Sequence, residues 1–333
     1  MKSVEERAFE LVVKNKLSPE KAFKTAVREL KRKGDLEAFR KFLRDYYFLS
    51  TAYPGRTFRE LFELSISGEY PFTPPRWVEE RARRKLAYRK DYWIRVNTLK
   101  ADVKEVEDAL RRLGIEFEVD KDFPFFLKVR ERPKLSKTEL FRQGKAIPQD
   151  KSSAFVVKAL DPKPGELVFD IGSAPGMKAS LIQQVRGNRG EVVALDISET
   201  RVKEERELLK LLGVEGVELV VGDGMHLPFR KLTKVLVDAP CSNSGTYVED
   251  PSVFLRVTPR DVRRFSLIQT KILAEVMRYR PEKVVYSVCS IFPDEGEKVV
   301  EKVVNGYSES HFRLYPDRDG TDGFFISEMT RVT

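Results

Sequence analysis

From residue 167 onward the chain repeats one unit: a short apolar run, a turn carrying glycine or an acid, then an amphipathic stretch. Strands are expected at residues 167–171, 192–197, 217–221, 235–237 and 284–288. Helices are expected at about 177–185, 200–212, 260–279 and 295–305. The apolar runs are strand-length, and most of the stretches between them can cross back over a sheet as helices. Such alternation leaves few options. It predicts an α/β fold with a mostly parallel, doubly wound sheet that binds its ligand at the carboxyl ends of the strands. Two late strands, at 312–315 and 323–332, are expected to close it.

The turns that end these strands are more specific. The first strand runs into Asp170-Ile171-Gly172-Ser173-Ala174-Pro175-Gly176-Met177-Lys178. Gly172 and Gly176 let the backbone approach a ligand, and the free N–H groups of the next helix favour an anion. The spacing is not G-x-G-x-x-G, so a nicotinamide-dependent dehydrogenase is disfavoured and a carboxylate suits better than a pyrophosphate. The second strand ends in Asp196, where this fold places an acid against ribose hydroxyls. The third ends in Gly222-Asp223-Gly224, an acid able to accept from a base amino group, and the fourth in Asp238. One strand-end aspartate is an ordinary turn residue. Together they predict a cofactor with an adenosine and no pyrophosphate.

The chain has two cysteines, Cys241 and Cys289, and each comes just after a strand. Free cysteine commonly packs as a small hydrophobe, and a disulfide is a second ordinary use. At the carboxyl rim of such a sheet, however, a thiolate can act as a nucleophile. A helix opening at Pro293 would lower the Cys289 thiol pKa further.

Charge separates the two ends of the chain. Net charge is +9, yet residues 1–100 hold 24 Lys and Arg against 14 Asp and Glu, while the rest hold 37 against 38. The densest run is 76–90 (Arg76, Arg81, Arg83, Arg84, Lys85, Arg89, Lys90), with Trp77, Tyr88, Tyr92 and Trp93 near the cations. A solvated helix face gives such runs too, but this one-sided excess fits a polyanion surface, and nucleic acid is the expected partner. A non-catalytic RNA-binding module would share that charge and leave the aspartates and thiols unused. Residues 1–90 read as a helical basic domain, with one helix starting at Ser18-Pro19 and ending at Gly34. Residues 91–148 read as a small βαββ, RNA-recognition-like α+β domain, and 149–333 as the α/β domain. No apolar run is long enough to span a bilayer, so a cytoplasmic protein is expected, with no metal. Oligomeric state is open, a monomer being plausible.

Several stretches then resemble a known family. Asp238-Ala239-Pro240-Cys241-Ser242 and Tyr286-Ser287-Val288-Cys289-Ser290-Ile291 are similar to motifs of the Sun-type RNA cytosine-C5 methyltransferases. So are Arg95-Val96-Asn97-Thr98-Leu99-Lys100, Gln149-Asp150-Lys151-Ser152-Ser153, Ala174-Pro175-Gly176-Met177-Lys178 and Gly320-Thr321-Asp322-Gly323-Phe324-Phe325. The motifs stand in the family's order across roughly residues 92–333. The resemblance implies a Rossmann-like class I methyltransferase sheet, S-adenosylmethionine as cofactor and RNA, ribosomal or transfer, as substrate. It implies that Gly172, Ser173, Ala174, Pro175, Gly176, Met177 and Lys178 hold the methionine end, Asp196 the ribose and Asp223 the adenine, with Arg201 beside the pocket. Lys178 could equally support a nearby acid. Asp238 would hydrogen-bond the cytosine, Cys289 would be the nucleophile and Cys241 would assist release of the adduct. The two thiols trade roles in the DNA enzymes, so the reverse assignment is open. Methyltransferases of other classes need neither thiol. Met177 stands for a usual glycine, Val288 for a usual threonine, and Glu249-Asp250-Pro251-Ser252 departs from the family's Arg-x-Pro-Asp.

Overall fold

The structure is a computed structural model that describes residues 2–129 and 135–332. Its strands are β1 (Tyr92–Val96), β2 (Phe117–Val119), β3 (Phe126–Val129), β4 (Ala146–Pro148), β5 (Leu167–Ile171), β6 (Glu191–Asp196), β7 (Val217–Val221), β8 (Lys234–Asp238), β9 (Lys283–Val288), β10 (Tyr307–Leu314) and β11 (Phe324–Arg331). Seven of them form one sheet in the order β10-β11-β9-β8-β5-β6-β7. β5 to β9 pair in parallel, and β11 runs antiparallel between β9 and β10. This is a doubly wound, Rossmann-like sheet, with its order reversing beside β5, so the ligand crevice opens at the ends of β5 and β8. Val235, Val237, Val284 and Tyr286 face one apolar layer and Leu236 and Val285 the other, which is why these strands lack a polar face.

β1 to β4 form the small sheet in the order β2-β3-β1-β4. That is the strand order of an RNA-recognition domain, completed by a fourth strand the sequence did not suggest. Its two faces are both spoken for. Ile94, Val96, Leu127 and Val129 pack on Val106 and Leu110 of the helix Val103–Arg112. Trp93 and Phe126, on the face that stacks bases in RNA-recognition domains, pack instead against Ala179, Ile182 and their neighbours in the large domain. The aromatic positions of that face are therefore covered.

Helices Val4–Asn15, Pro19–Leu30, Leu36–Ala52, Phe58–Ser67 and Arg76–Ala82 precede the sheets. The second stops at Leu30, with Lys31 in the left-handed conformation, and not at Gly34. Val78, Ala82 and Leu86 bury against Tyr247, Phe254, Ile291 and Phe292, so this segment is seated beside the loops that carry the two cysteines. The helix expected at 295–305 shrinks to a 3₁₀ turn (Pro293–Glu295) and the short helix Glu297–Val300, with Gly296 between them in a non-helical conformation. Among the described residues no helix is long and apolar enough to cross a membrane.

Candidate active site

A cavity of about 710 Å³ opens at the carboxyl ends of the parallel strands. Gly172, Ala174 and Lys178 line it from the first loop, joined by Asp196, Arg201, Asp223, Asp238, Cys241 and Cys289. Ser173, Pro175, Gly176 and Met177 do not. Pro175 is exposed and the other three brace the loop from behind. The buried Ser173 hydroxyl donates to Glu205 at 2.9 Å, and a Cβ on Gly176, at φ of 93°, would meet that same glutamate at 2.8 Å. The Met177 carbonyl accepts from Arg95 at 3.2 Å and Gln149 at 3.1 Å, each the first residue of a stretch that resembles a family motif. Gly172 needs its glycine most. Its φ is +85°, and a Cβ would lie 2.3 Å from the Asp238 carbonyl oxygen.

On one side of the cavity, Asp196 accepts from the Ser198 N–H at 2.9 Å and from Arg201 at 3.1 Å; Arg201 also donates to the Ala174 carbonyl. Asp223 accepts from the Met225 N–H at 2.9 Å. Ile197, Met225, Ile268 and Ile272 supply apolar wall between these polar points.

Asp238 and the thiols occupy the opposite side. Lys178 Nζ donates to Asp238 Oδ2 at 2.6 Å and the Ser287 hydroxyl to Oδ1 at 2.9 Å, so Lys178 serves the nearby acid. Burial pulls the Lys178 ammonium down, but Asp238 and then Cys289 outweigh it and hold the pKa above its ordinary value. The two cysteines are free, with sulfurs 3.0 Å apart, Cys241 buried and Cys289 half-buried. The hydrogen bond to Cys289, then burial, pushes the Cys241 thiol well up. Cys241 is thus the thiol held in its protonated form, and Cys289 is the more accessible sulfur of the two. No long helix aims its dipole at Cys289, contrary to expectation. The Asn243 amide oxygen lies 2.9 Å from Cys289 Sγ and 3.6 Å from Cys241 Sγ. A half-turn of that amide presents its N–H₂ to a thiolate instead. Asn243, two residues past Cys241, was legible only as part of a turn.

The basic run is largely committed to the fold. Lys90, expected on a phosphate-binding surface, is buried and contacts Asp322 at 2.7 Å, Asp150 at 3.0 Å and Glu249 at 3.1 Å. Asp150 and Asp322 also line the cavity, so this cluster is its outer wall. Arg84 pairs with Asp317 and Arg81 with Asp294, while Trp77 stacks on Phe292. Arg83, Lys85 and Arg89 stay exposed, with no acidic partner among the described residues. The departing loop is internally paired too: Glu249 serves Lys90, and Asp250 binds Arg256.

Removing one side of this buried cluster has a stability consequence. Lys90→Met would remove the cation shared by Asp150, Glu249 and Asp322, and urea unfolding should show a loss of about 3–5 kcal/mol. Burial, then Asp150, pushes the Asp322 carboxyl up to about 8. The folded protein therefore holds this proton to a higher pH than the unfolded chain, and the stability it contributes is lost as pH rises toward 8. Between pH 6 and pH 8.5 the unfolding free energy of the native protein should fall by roughly 2 kcal/mol.

Residues 157–330 match the family described as 16S rRNA methyltransferase RsmB/F. The probable ribosomal RNA small subunit methyltransferase B of Bacillus subtilis is 31% identical over 265 residues, covering 72% of this chain and 59% of that protein. The tRNA (cytosine(72)-C(5))-methyltransferase of Pyrococcus horikoshii is 31% identical over 265 residues, 73% of this chain and 65% of that one. The chain thus spans about three fifths of the length of these curated relatives. A methyltransferase homolog protein from Pyrococcus horikoshii, solved by crystallography, superposes with a TM-score of 0.63 at 27% identity, over 87% of this chain and 99% of its own.

Proposed function

Because the chain belongs to the RsmB/F family of rRNA methyltransferases, the Sun type its motifs resemble, we propose that it methylates C5 of a cytosine in RNA, using S-adenosylmethionine. The observation that carries this reading is the pair of free thiols 3.0 Å apart on a cavity wall shared with Gly172, Asp196 and Asp223. The wall suits the cofactor. Gly172 lets the first loop close against the Asp238 carbonyl at the cavity wall, Asp196 offers a carboxylate to the ribose, Asp223 one to the adenine, and Ile197 and Ile272 offer apolar faces. When bound, S-adenosylmethionine supplies an electrophilic methyl group.

The residues do the rest. Cytosine C5 is a poor nucleophile until the Cys289 thiolate adds to C6 and pushes the ring electrons onto C5. Asp238, fixed by Lys178 and Ser287, accepts from the exocyclic amino group or shares a proton with N3 as charge develops on the ring. Once Cys289 is bonded to C6 it no longer shares a hydrogen bond with Cys241, and the Cys241 thiol, losing its proton to solvent, acts as the base. Its thiolate then takes the proton from the methylated C5, the Cys289–C6 bond breaks, and the departing sulfur accepts a hydrogen bond from the restored Cys241 thiol. The net loss is one proton, as replacing C5–H by C5–CH₃ requires.

The base must leave its stack to reach this wall, which costs least in single-stranded or loop RNA. Arg83, Lys85 and Arg89 are the exposed cations of the run left to hold phosphates. The same reading divides the chain at residues 90 and 148 into helical, small α+β and methyltransferase parts, supported by separate apolar clusters in each. The test is direct: protein, methyl-labelled S-adenosylmethionine and ribosomal or transfer RNA are incubated, and the digested nucleosides are separated by chromatography. Label in 5-methylcytidine is expected; label confined to N-methylated nucleosides, or none with either RNA, would overturn the reading.

A further inference from the structure

We propose that Glu295 is a positioning residue that ties the two cysteine loops together and so sets the spacing of Cys241 and Cys289. The role rests on the thiol chemistry proposed above. Glu295 is fully buried and does not line the cavity. Among the described residues no cation pairs with its carboxylate. Its partners are neutral donors from three segments, and two of them are the residues directly after the cysteines.

Ser242, next to Cys241, donates its backbone N–H to Glu295 Oε1 at 2.8 Å and its hydroxyl to Oε2. Ser290, next to Cys289, donates its hydroxyl to the same Oε2 at 2.6 Å. Gln269 donates to Oε1 at 3.1 Å and also to the carbonyl of Pro240 at 2.9 Å, so the residues on both sides of Cys241 are held. Ser244 closes the network, its hydroxyl 3.0 Å from that of Ser290 and accepting the Ile291 N–H at 3.1 Å. Glu295 itself is fixed by its N–H to the Phe292 carbonyl and by the Tyr286 hydroxyl on its own carbonyl at 2.7 Å.

A buried carboxylate is costly, and an apolar residue would fill the space more cheaply. A carboxylate does what an apolar group cannot: it accepts several donors at once, so loops from two different strands converge on one point. Burial pushes the Glu295 carboxyl up while the Ser242 and Ser290 hydroxyls oppose the rise, and its charge contributes to the raised Cys241 pKa. In glutamine one oxygen becomes an N–H₂ facing these donors, so the convergence is lost with almost no change of volume.

The test needs neither RNA nor cofactor, so its failure is distinct from failure of the methylation assay. Diamide takes two electrons and two protons from neighbouring thiols, leaving a disulfide and its own hydrazine. In the full-length protein, Cys241 and Cys289 should pair rapidly, detected as a two-hydrogen loss of mass in their linked peptides. With Glu295→Gln this step should slow by about tenfold or more, since a small misplacement of reacting atoms is expensive. The pH profile of iodoacetamide labelling should also move to lower pH, a change that a purely structural role does not produce. Circular dichroism reports whether the variant is folded; if it is not, Ser290→Ala, with one donor removed, decides with an expected slowing of about threefold. An unchanged pairing rate and labelling profile, or slow pairing in the native protein, would overturn the proposal.

Discussion

Replacing Cys289 by alanine is expected to reduce methyl transfer to RNA by about ten-thousandfold or more, the scale seen when a covalent nucleophile is removed. Its sulfur is the half-buried member of the pair and lies 3.0 Å from that of Cys241. Alanine leaves the cavity wall intact, so cofactor affinity should stay within about threefold and stability within about 1 kcal/mol. Cys289→Ser should be as inactive as alanine, because a hydroxyl does not ionise near neutral pH. Single-turnover assays with labelled cofactor measure both variants. Activity within about tenfold of native would remove Cys289 from the role of nucleophile.

Asp238→Asn should lower turnover by roughly a hundred- to ten-thousandfold, the range for a positioned acid–base group. The carboxylate is held from two sides, and asparagine keeps the Ser287 hydrogen bond while losing the charge that Lys178 pairs with. Lys178 is then left buried with its ammonium facing a neutral amide, which adds a folding cost of its own. Lys178→Met/Asp238→Asn separates the two effects: it should recover stability and not turnover. Measured kcat is the relevant quantity, since base recognition and charge stabilisation both act after RNA has bound. A double variant that regains turnover would reduce Asp238 to a strand-end cap.

The large sheet was legible because its strands are short, apolar on both faces, and end in glycine or aspartate, a pattern that few other folds require. β4 escaped notice because three residues in a polar surround carry no period. β10 begins at Tyr307, well before the expected start, because it is an edge strand whose Ser308, Glu309, Ser310 and His311 read as loop. The candidate site divides in the same way. Aspartates and cysteines at strand ends announce themselves locally. Asn243 and Glu295 do not, because their roles depend on loops meeting in space. Part of the basic run is committed elsewhere for the same reason: Arg84 and Asp317 stand 233 residues apart, Lys90 and Asp322 232, and no local pattern links them. Charge counted along a chain overstates a phosphate surface when the neutralising acids are distant in sequence.

The proposed mechanism depends most on a bond between Cys289 and pyrimidine C6. Cys241→Ala removes the group that takes the C5 proton, so this variant should stall with RNA attached after methyl transfer. Mixing it with substrate RNA and S-adenosylmethionine, denaturing, digesting with protease and nuclease, and sequencing the cross-linked peptide by mass spectrometry locates the bond. The mechanism predicts a methylated cytidine carried on the peptide that contains Cys289, and none in Cys241→Ala/Cys289→Ala. A cross-link to any other residue, or native-rate methylation with no cross-link, would contradict it.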